Sequence, residues 1–309
     1  MNLANNKFHV LSFRKLNKSV DLSFEKDLSI LSNFQFINGV QEFGSQRDFF
    51  GTIELGEYLP DHHVFAETGS PIPNEVPVNE EYFEWMDILS AVTESNGSFV
   101  FVELGAGYGR WSARAYKAAI NFGIPAEKIL LVTVEADPKH SQWCKKHLEF
   151  NNIPQASHLH FQTAISNFIG ETEFFVQMPN LSREESEKNW YGQAIAKSGW
   201  SGAVTEKVPV TTLSEILANV PNLTIDLIDS DLQGEDWLVF AHNPQLLQRV
   251  KKIHIGTDTE LEEVRLRQFF SKLGWINIYD FKGRGLRKTY VGEIKFVDGV
   301  QTWLNPEFL

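Results

Sequence analysis

The sequence predicts an α/β fold: a mostly parallel sheet covered by helices on both faces, preceded by an N-terminal extension. Three observations predict it. From residue 99 onward, apolar runs of strand length alternate with amphipathic stretches of helix length, the pattern a βαβ chain leaves. The first of these runs passes into a turn with glycine at alternate positions, Gly105, Gly107 and Gly109, and then into helix-forming residues. The second run ends in an acid, Glu135. An acid at the end of the second strand, roughly 20 residues or more past a glycine turn, is where nucleoside-binding sheets hold the ribose hydroxyls.

The first strand spans 99–104 and the second 129–135, with a helix over 110–121 between them and another over 138–151. Asp137 before Pro138 suits the start of that second helix, since proline is tolerated in a first turn and an acid there meets the helix dipole. The third strand spans 159–165, and 173–177 returns as a hairpin across Gly170. A polar insertion over 180–206 interrupts the alternation, after which 208–210 leads into a helix over 213–218 started by Thr211 or Thr212. Strands at 223–228 and 253–256 follow, then a helix over 260–273. Residues 275–280 and 290–297 close the sheet as an antiparallel pair, joined by a loop carrying Lys282, Arg284, Arg287 and Lys288. That basic loop is either a solvated turn or a reader of an acidic group on a substrate.

Residues 1–95 do not follow the alternation, and Pro60, Pro71, Pro73 and Pro77 break their second half. A helix over 80–92 packs beside the first strand, while the leading 50 residues form a small subdomain, a lid or a dimerisation arm, so a homodimer is expected. The chain thus divides into an extension, 1–95, and a main domain, 96–309. A hydrophobic fraction of 42% over 309 residues supports a sizeable core. With no bilayer-length apolar run and no secretory signal, a cytoplasmic location is expected. A net charge of −12 argues against nucleic acid or an anionic membrane as partner. The single cysteine, Cys144, excludes an internal disulfide and any multi-cysteine metal site.

The glycine turn reads Glu103-Leu104-Gly105-Ala106-Gly107-Tyr108-Gly109. An acid at its head repels a phosphate and attracts an ammonium, which points to S-adenosylmethionine rather than NAD or ATP. Glu135 and Ala136 then meet the ribose, and Thr163 and Ala164 lie where the adenine edge falls. Methyl transfer is an in-line displacement that needs alignment, exclusion of water and, for a hydroxyl acceptor, a base. Candidates are Asp229 and Asp231 past the fourth strand, and His254, whose strand position points it at a helix layer as either base or core histidine. Asp229 and Asp258 either share a hard cation such as Mg²⁺ or serve as helix caps. His63, beside His62, sits in a loop suited to a lid, and Trp190, Tyr191 and Gln193 offer a flat surface in the insertion that either stacks on an acceptor or anchors the insertion.

Together, residues 103–109, 135–138 and 225–236 resemble the FkbM family of S-adenosylmethionine-dependent methyltransferases, over about residues 95 to 260. The third motif discriminates most: an aspartate-rich strand end, Asp226, Asp229 and Asp231, runs into Gly234-Glu235-Asp236. Residues 208–213 are similar to the segment that precedes that strand in the family. The resemblance implies a class I methyltransferase, Rossmann-like fold with an antiparallel last strand, and O-methylation of a hydroxyl on a sugar, polyketide or other small metabolite. Glu103 stands where the family usually has Asp, and Tyr108 where it has Asn or His. N-methylation, or a methyltransferase-like scaffold without catalysis, are the alternatives; an NAD-dependent dehydrogenase is disfavoured by the glycine spacing.

Overall fold

The computed structural model describes residues 22–59, 66–177, 182, 185, 193–196, 203–221 and 223–309. Its centre is a seven-stranded sheet. Four parallel strands, β3 (Phe99–Leu104), β4 (Ile129–Glu135), β5 (His158–Gln162) and β9 (Leu227–Ser230), are joined by a fifth, β10 (Lys252–Thr257). All six residues of β3 are buried, as expected of a central parallel strand covered on both faces. The edge beyond β10 is built by β14 (Gly299–Leu304), antiparallel to both β10 and β11 (Ile276–Phe281), giving the order β11-β14-β10-β9-β3-β4-β5. The expected mostly parallel sheet with an antiparallel last strand is therefore present.

Helices α3 (Arg110–Phe122) and α4 (Pro138–Phe150) follow β3 and β4. Asp137 caps α4, accepting hydrogen bonds from the backbone N–H of Lys139 and His140 at 2.7 and 3.2 Å. Thr212 caps α5 (Leu213–Ala218) by accepting from Glu215 N, and Thr259 caps α7 (Glu260–Lys272) by accepting from Glu262 N. Between them lies α6 (Asp236–His242). A second, three-stranded sheet runs β6 (Ala164–Ile165), β8 (Val204–Thr211), β7 (Gly170–Gln177).

Four sequence expectations are corrected, the first being the hairpin across Gly170: residues 170–177 pair antiparallel with β8, which lies between them and β6. The strand over 290–297 exists as β13 (Gly292–Phe296), but it pairs with β12 (Gly285–Thr289) in a separate hairpin, and β14 takes its place in the sheet. Gln301 and Thr302 hide β14 in the sequence: both are wholly buried and give up no hydrogen bonding, because Gln301 Nε2 donates to Glu263 O and Thr302 Oγ1 to Asp87. Glycine is needed where β14 starts, since a Cβ on Gly299 would lie 2.2 Å from Thr257 Oγ1. The expected third strand is divided at Thr163, whose N–H donates to Glu135 O and whose hydroxyl donates to Pro209 O, so that Ala164 and Ile165 leave the main sheet for β8. The fourth strand starts at Leu227, four residues later than expected, with Ile225 only bridging Val250.

The basic loop folds on itself, with Arg287 donating to Lys282 O and Gly283 O, while Lys282 pairs with exposed Glu260. The N-terminal part holds α1 (Leu22–Leu31), the hairpin β1 (Ser45–Arg47) and β2 (Ile53–Leu55), and α2 (Tyr82–Thr93). Phe49, Phe83 and Trp85 share one core with Phe99 and Phe101 of β3. Among the described residues no helix is long and apolar enough to cross a membrane.

Candidate active site

The glycine turn after β3 opens onto a cavity of about 500 Å³ at the carboxyl ends of the parallel strands, where open α/β sheets bind ligands. Gly105, Gly107 and Gly109 all have positive φ, 81°, 53° and 73°. At Gly105 a Cβ would lie 2.1 Å from Asp231 O, so only glycine lets the turn pass the end of β9. Gly109 faces elsewhere: it is absent from the cavity wall, and a Cβ there would meet Cys144 Sγ at 2.7 Å, so its bareness lets α4 approach the turn. Gly107 N donates to Glu135 Oε2 at 2.7 Å, and Asp137 N to Glu135 Oε1 at 2.6 Å, which ties the glycine turn to the end of β4.

Two buried carboxyls flank this turn. Glu103 accepts from Ser112 N at 3.0 Å and Trp111 N at 3.3 Å, closing the first turn of α3, yet burial and the nearby Asp229 push it up to about 8. Burial likewise pushes Glu135 up to about 8, against the hydrogen bonds it accepts. Each is a carboxyl that a cationic or hydrogen-bond-donating ligand would ionise or engage. Ala106, Tyr108, Ala136, Thr163, Ala164 and Gln193 also line the cavity. Tyr108 is buried, its ring stacked on Tyr58 at 5.4 Å, which ties the turn to the N-terminal part.

The deepest chemistry joins three strands to α2. In register across the sheet stand Thr302 of β14, His254 of β10, Asp229 of β9, Glu103 of β3, Thr133 of β4 and His160 of β5. In-register neighbours point to one face, so this is a polar row, buried from Thr302 to Thr133 and half-buried at His160. α2 covers it with two acids. Asp87 Oδ2 accepts from His254 Nδ1 at 2.8 Å and from Thr302 Oγ1 at 2.5 Å. Glu84 lies within 4.8 Å of Asp229 and His254, and burial, then Asp229, raise its carboxyl well above the ordinary range. Asp229 itself is raised by burial. Burial opposes the charged form of His254, but Asp87, Asp229 and Asp231 outweigh it and raise the ring above its ordinary value. Asp231 faces the cavity's solvent and accepts from Gln233 Nε2 at 2.7 Å.

Asp229, Asp231 and His254 are thus brought to one floor. Asp258 is not: it gathers with Asp236 and Glu262, whereas Asp229 gathers with Glu84 and His254, so the two carboxylates expected on one cation fall in separate groups. His63, Trp190 and Tyr191 lie outside the described residues. Glu84, Asp87 and the cavity-lining Arg110 also belong to the site, and no local motif marks them. Glu81, Glu84 and Asp87 do recur at every third position, but so does any solvated helix face.

Residues 103–276 match the family model described as Methyltransferase FkbM domain. A protein named "Putative methyltransferase" from Jannaschia sp. (strain CCS1) is 26% identical over 211 residues, 67% of this chain and 72% of its own. Among solved structures, Methyltransferase FkbM from Methylobacillus flagellatus KT aligns at 11% identity and a TM-score of 0.43, over 67% of this chain and 44% of that one. Precorrin-6y C5,15-methyltransferase from Geobacter metallireducens GS-15 aligns at 9% identity and a TM-score of 0.41, over 75% of this chain and 92% of that one.

Proposed function

The chain belongs to the FkbM methyltransferase domain family, and from that premise we propose that it transfers the methyl group of S-adenosylmethionine to a hydroxyl of a small metabolite or glycan. The observation that carries the reading is the pair of buried carboxyls, Glu103 and Glu135, set on either side of a glycine turn whose backbone lies bare to the cavity. Glu103 suits the cofactor's ammonium, and ionises when that cation arrives. Glu135 suits the two ribose hydroxyls, with Ala136, Thr163 and Ala164 beyond it for the base. When bound, the cofactor supplies an electrophilic methyl group. The chain's own task is to align the acceptor, exclude water and take its proton. His254 and Asp229 on the floor supply the base, and this favours a hydroxyl, which must lose a proton, over a neutral amine, which attacks without a base.

Asp229 and Asp258 sit in different groups, so they do not hold one Mg²⁺ between them. The test is calorimetric titration with S-adenosylmethionine, S-adenosylhomocysteine and NAD, before and after EDTA, followed by a screen of hydroxylated and aminated acceptors with labelled methyl donor. Saturable binding with label on oxygen is the expected outcome. Binding of NAD alone overturns the reading, and label only on nitrogen replaces its acceptor.

A further inference from the structure

We propose that α2, within the N-terminal part, supplies the reaction's positioning residue: Asp87 holds His254 by Nδ1 so that Nε2 is left as the bare base at the cavity, with Glu84 and Asp229 as the acid pair that stabilises the ring once it takes a proton. The inference rests on the hydroxyl-methylation reading above. Hydrogen-bond accounting fixes the tautomer. Asp87 Oδ2 accepts from both Thr302 Oγ1 and His254 Nδ1, at 2.5 and 2.8 Å, so in the neutral ring the proton sits on Nδ1. Nε2 then carries a lone pair, and among the described residues it has no hydrogen-bond partner. His254 is 3% exposed and lines the cavity, so its ring cannot wander, and a base held in one rotamer and one tautomer is pre-organised.

The titratable groups facing the ring are Asp87 and Glu84 from α2, Asp229 from β9 and Asp231 just after it. Glu84 and Asp229 each bring a carboxyl oxygen within 4.8 Å of the other and of a ring nitrogen of His254, so both acids stand beside the ring. In the transfer, the acceptor oxygen bonds the methyl carbon, the carbon–sulfur electron pair leaves on sulfur, and the hydroxyl proton passes to Nε2. Methyl ether, thioether and imidazolium balance hydroxyl, sulfonium and imidazole in atoms and charge. In the resting site the surrounding carboxylates favour the charged ring. A sulfonium entering the same cavity is a like charge that drives the ring toward its neutral, working form.

The test needs no acceptor. Histidine-selective ¹⁵N labelling and long-range ¹H–¹⁵N correlation spectra of the full chain, recorded from mildly acid to alkaline pH, report the tautomer and titration of His254 directly. The expected results are an Nδ1–H tautomer in the wild type, a titration moved down by about one unit or more in Asp87→Asn, and a downward move with sinefungin, which carries an ammonium near the sulfonium position, relative to S-adenosylhomocysteine. An Nε2–H tautomer, a ring still doubly protonated at alkaline pH with sinefungin bound, or an unmoved titration in Asp87→Asn overturns the proposal. If Asp87→Asn fails to fold, the wild-type tautomer alone decides. Calorimetry with S-adenosylhomocysteine on the same sample separates the two failures: saturable binding with the wrong tautomer removes only the positioning role, and no binding removes the methyltransferase reading beneath it.

Discussion

At residue scale the glycine turn divides its labour by what a side chain would strike. Gly105→Ala places a Cβ against Asp231 O at positive φ, so a loss of about 3 kcal/mol in urea denaturation is expected, together with loss of cofactor binding. Gly123→Ala has equally left-handed backbone but open space, and should cost only about 1 kcal/mol with binding intact. Equal losses in the two variants would show that backbone strain, not the Asp231 contact, sets the cost. Glu103 and Glu135 make a second prediction. Each is raised from 4.5 to about 8, so the folded chain keeps protons that the unfolded chain has released. Their stabilising contribution is full below pH 4.5 and is lost as pH rises through about 8. The urea midpoint of the cofactor-free protein should therefore fall between mildly acid and mildly alkaline pH, with the fall reduced by roughly half in Glu135→Gln. A flat profile in the wild type would contradict it.

At element scale, the β1–β2 hairpin is pinned to α3 by charge. Glu54 Oε1 accepts from Arg110 Nε at 2.7 Å and Arg114 Nη2 at 3.0 Å, Glu81 accepts from both arginines, and Arg114 lies over Trp111 and Trp85 at 4.4 and 4.8 Å. Burial works to raise Glu54, but the two guanidinium groups outweigh it and hold it at about 2. Here the sign is opposite to that of the cavity acids: the stabilisation is present above the ordinary 4.5 and is lost as pH falls through about 2. Glu54→Ala leaves two largely buried arginines short of a partner, and a cost of about 3 kcal/mol is expected, read by urea denaturation. Arg110 is the first residue of α3 and lines the cavity, so cofactor affinity should weaken in the same variant. Unchanged stability would mean that the network is replaced by water at no cost.

For the whole molecule, the core does not stop where the alternation begins. Phe83, Trp85, Ile88 and Leu89 of α2 are wholly or almost wholly buried in the cluster that holds Phe99 and Phe101, and α2 also carries Glu84 and Asp87 to the site. A chain lacking residues 1–95 strips that face of the sheet. We expect it to keep far-UV signal, lose near-UV signal and bind a hydrophobic dye, and to bind no cofactor. A truncated chain that folds with sharp near-UV bands would instead make the first 95 residues a separable accessory.

By itself the sequence determined what depends on neighbours along the chain. Helix α5 was legible to the residue, and α3, α4 and α7 to within a residue at their ends, because caps such as Asp137, Thr212 and Thr259 act on backbone only two or three residues away. The glycine turn and Glu135 were legible for the same reason: the spacing between two consecutive strand ends is a property of one βαβ unit. Tertiary structure alone decided which strand closes the sheet, since Gln301 and Thr302 read as polar until Glu263 and Asp87 satisfy them. It alone set Asp258 apart from Asp229. It also joined Asp87 to His254, 167 residues apart, because strand register and helix docking fix that 2.8 Å contact, and neither is written in local spacing.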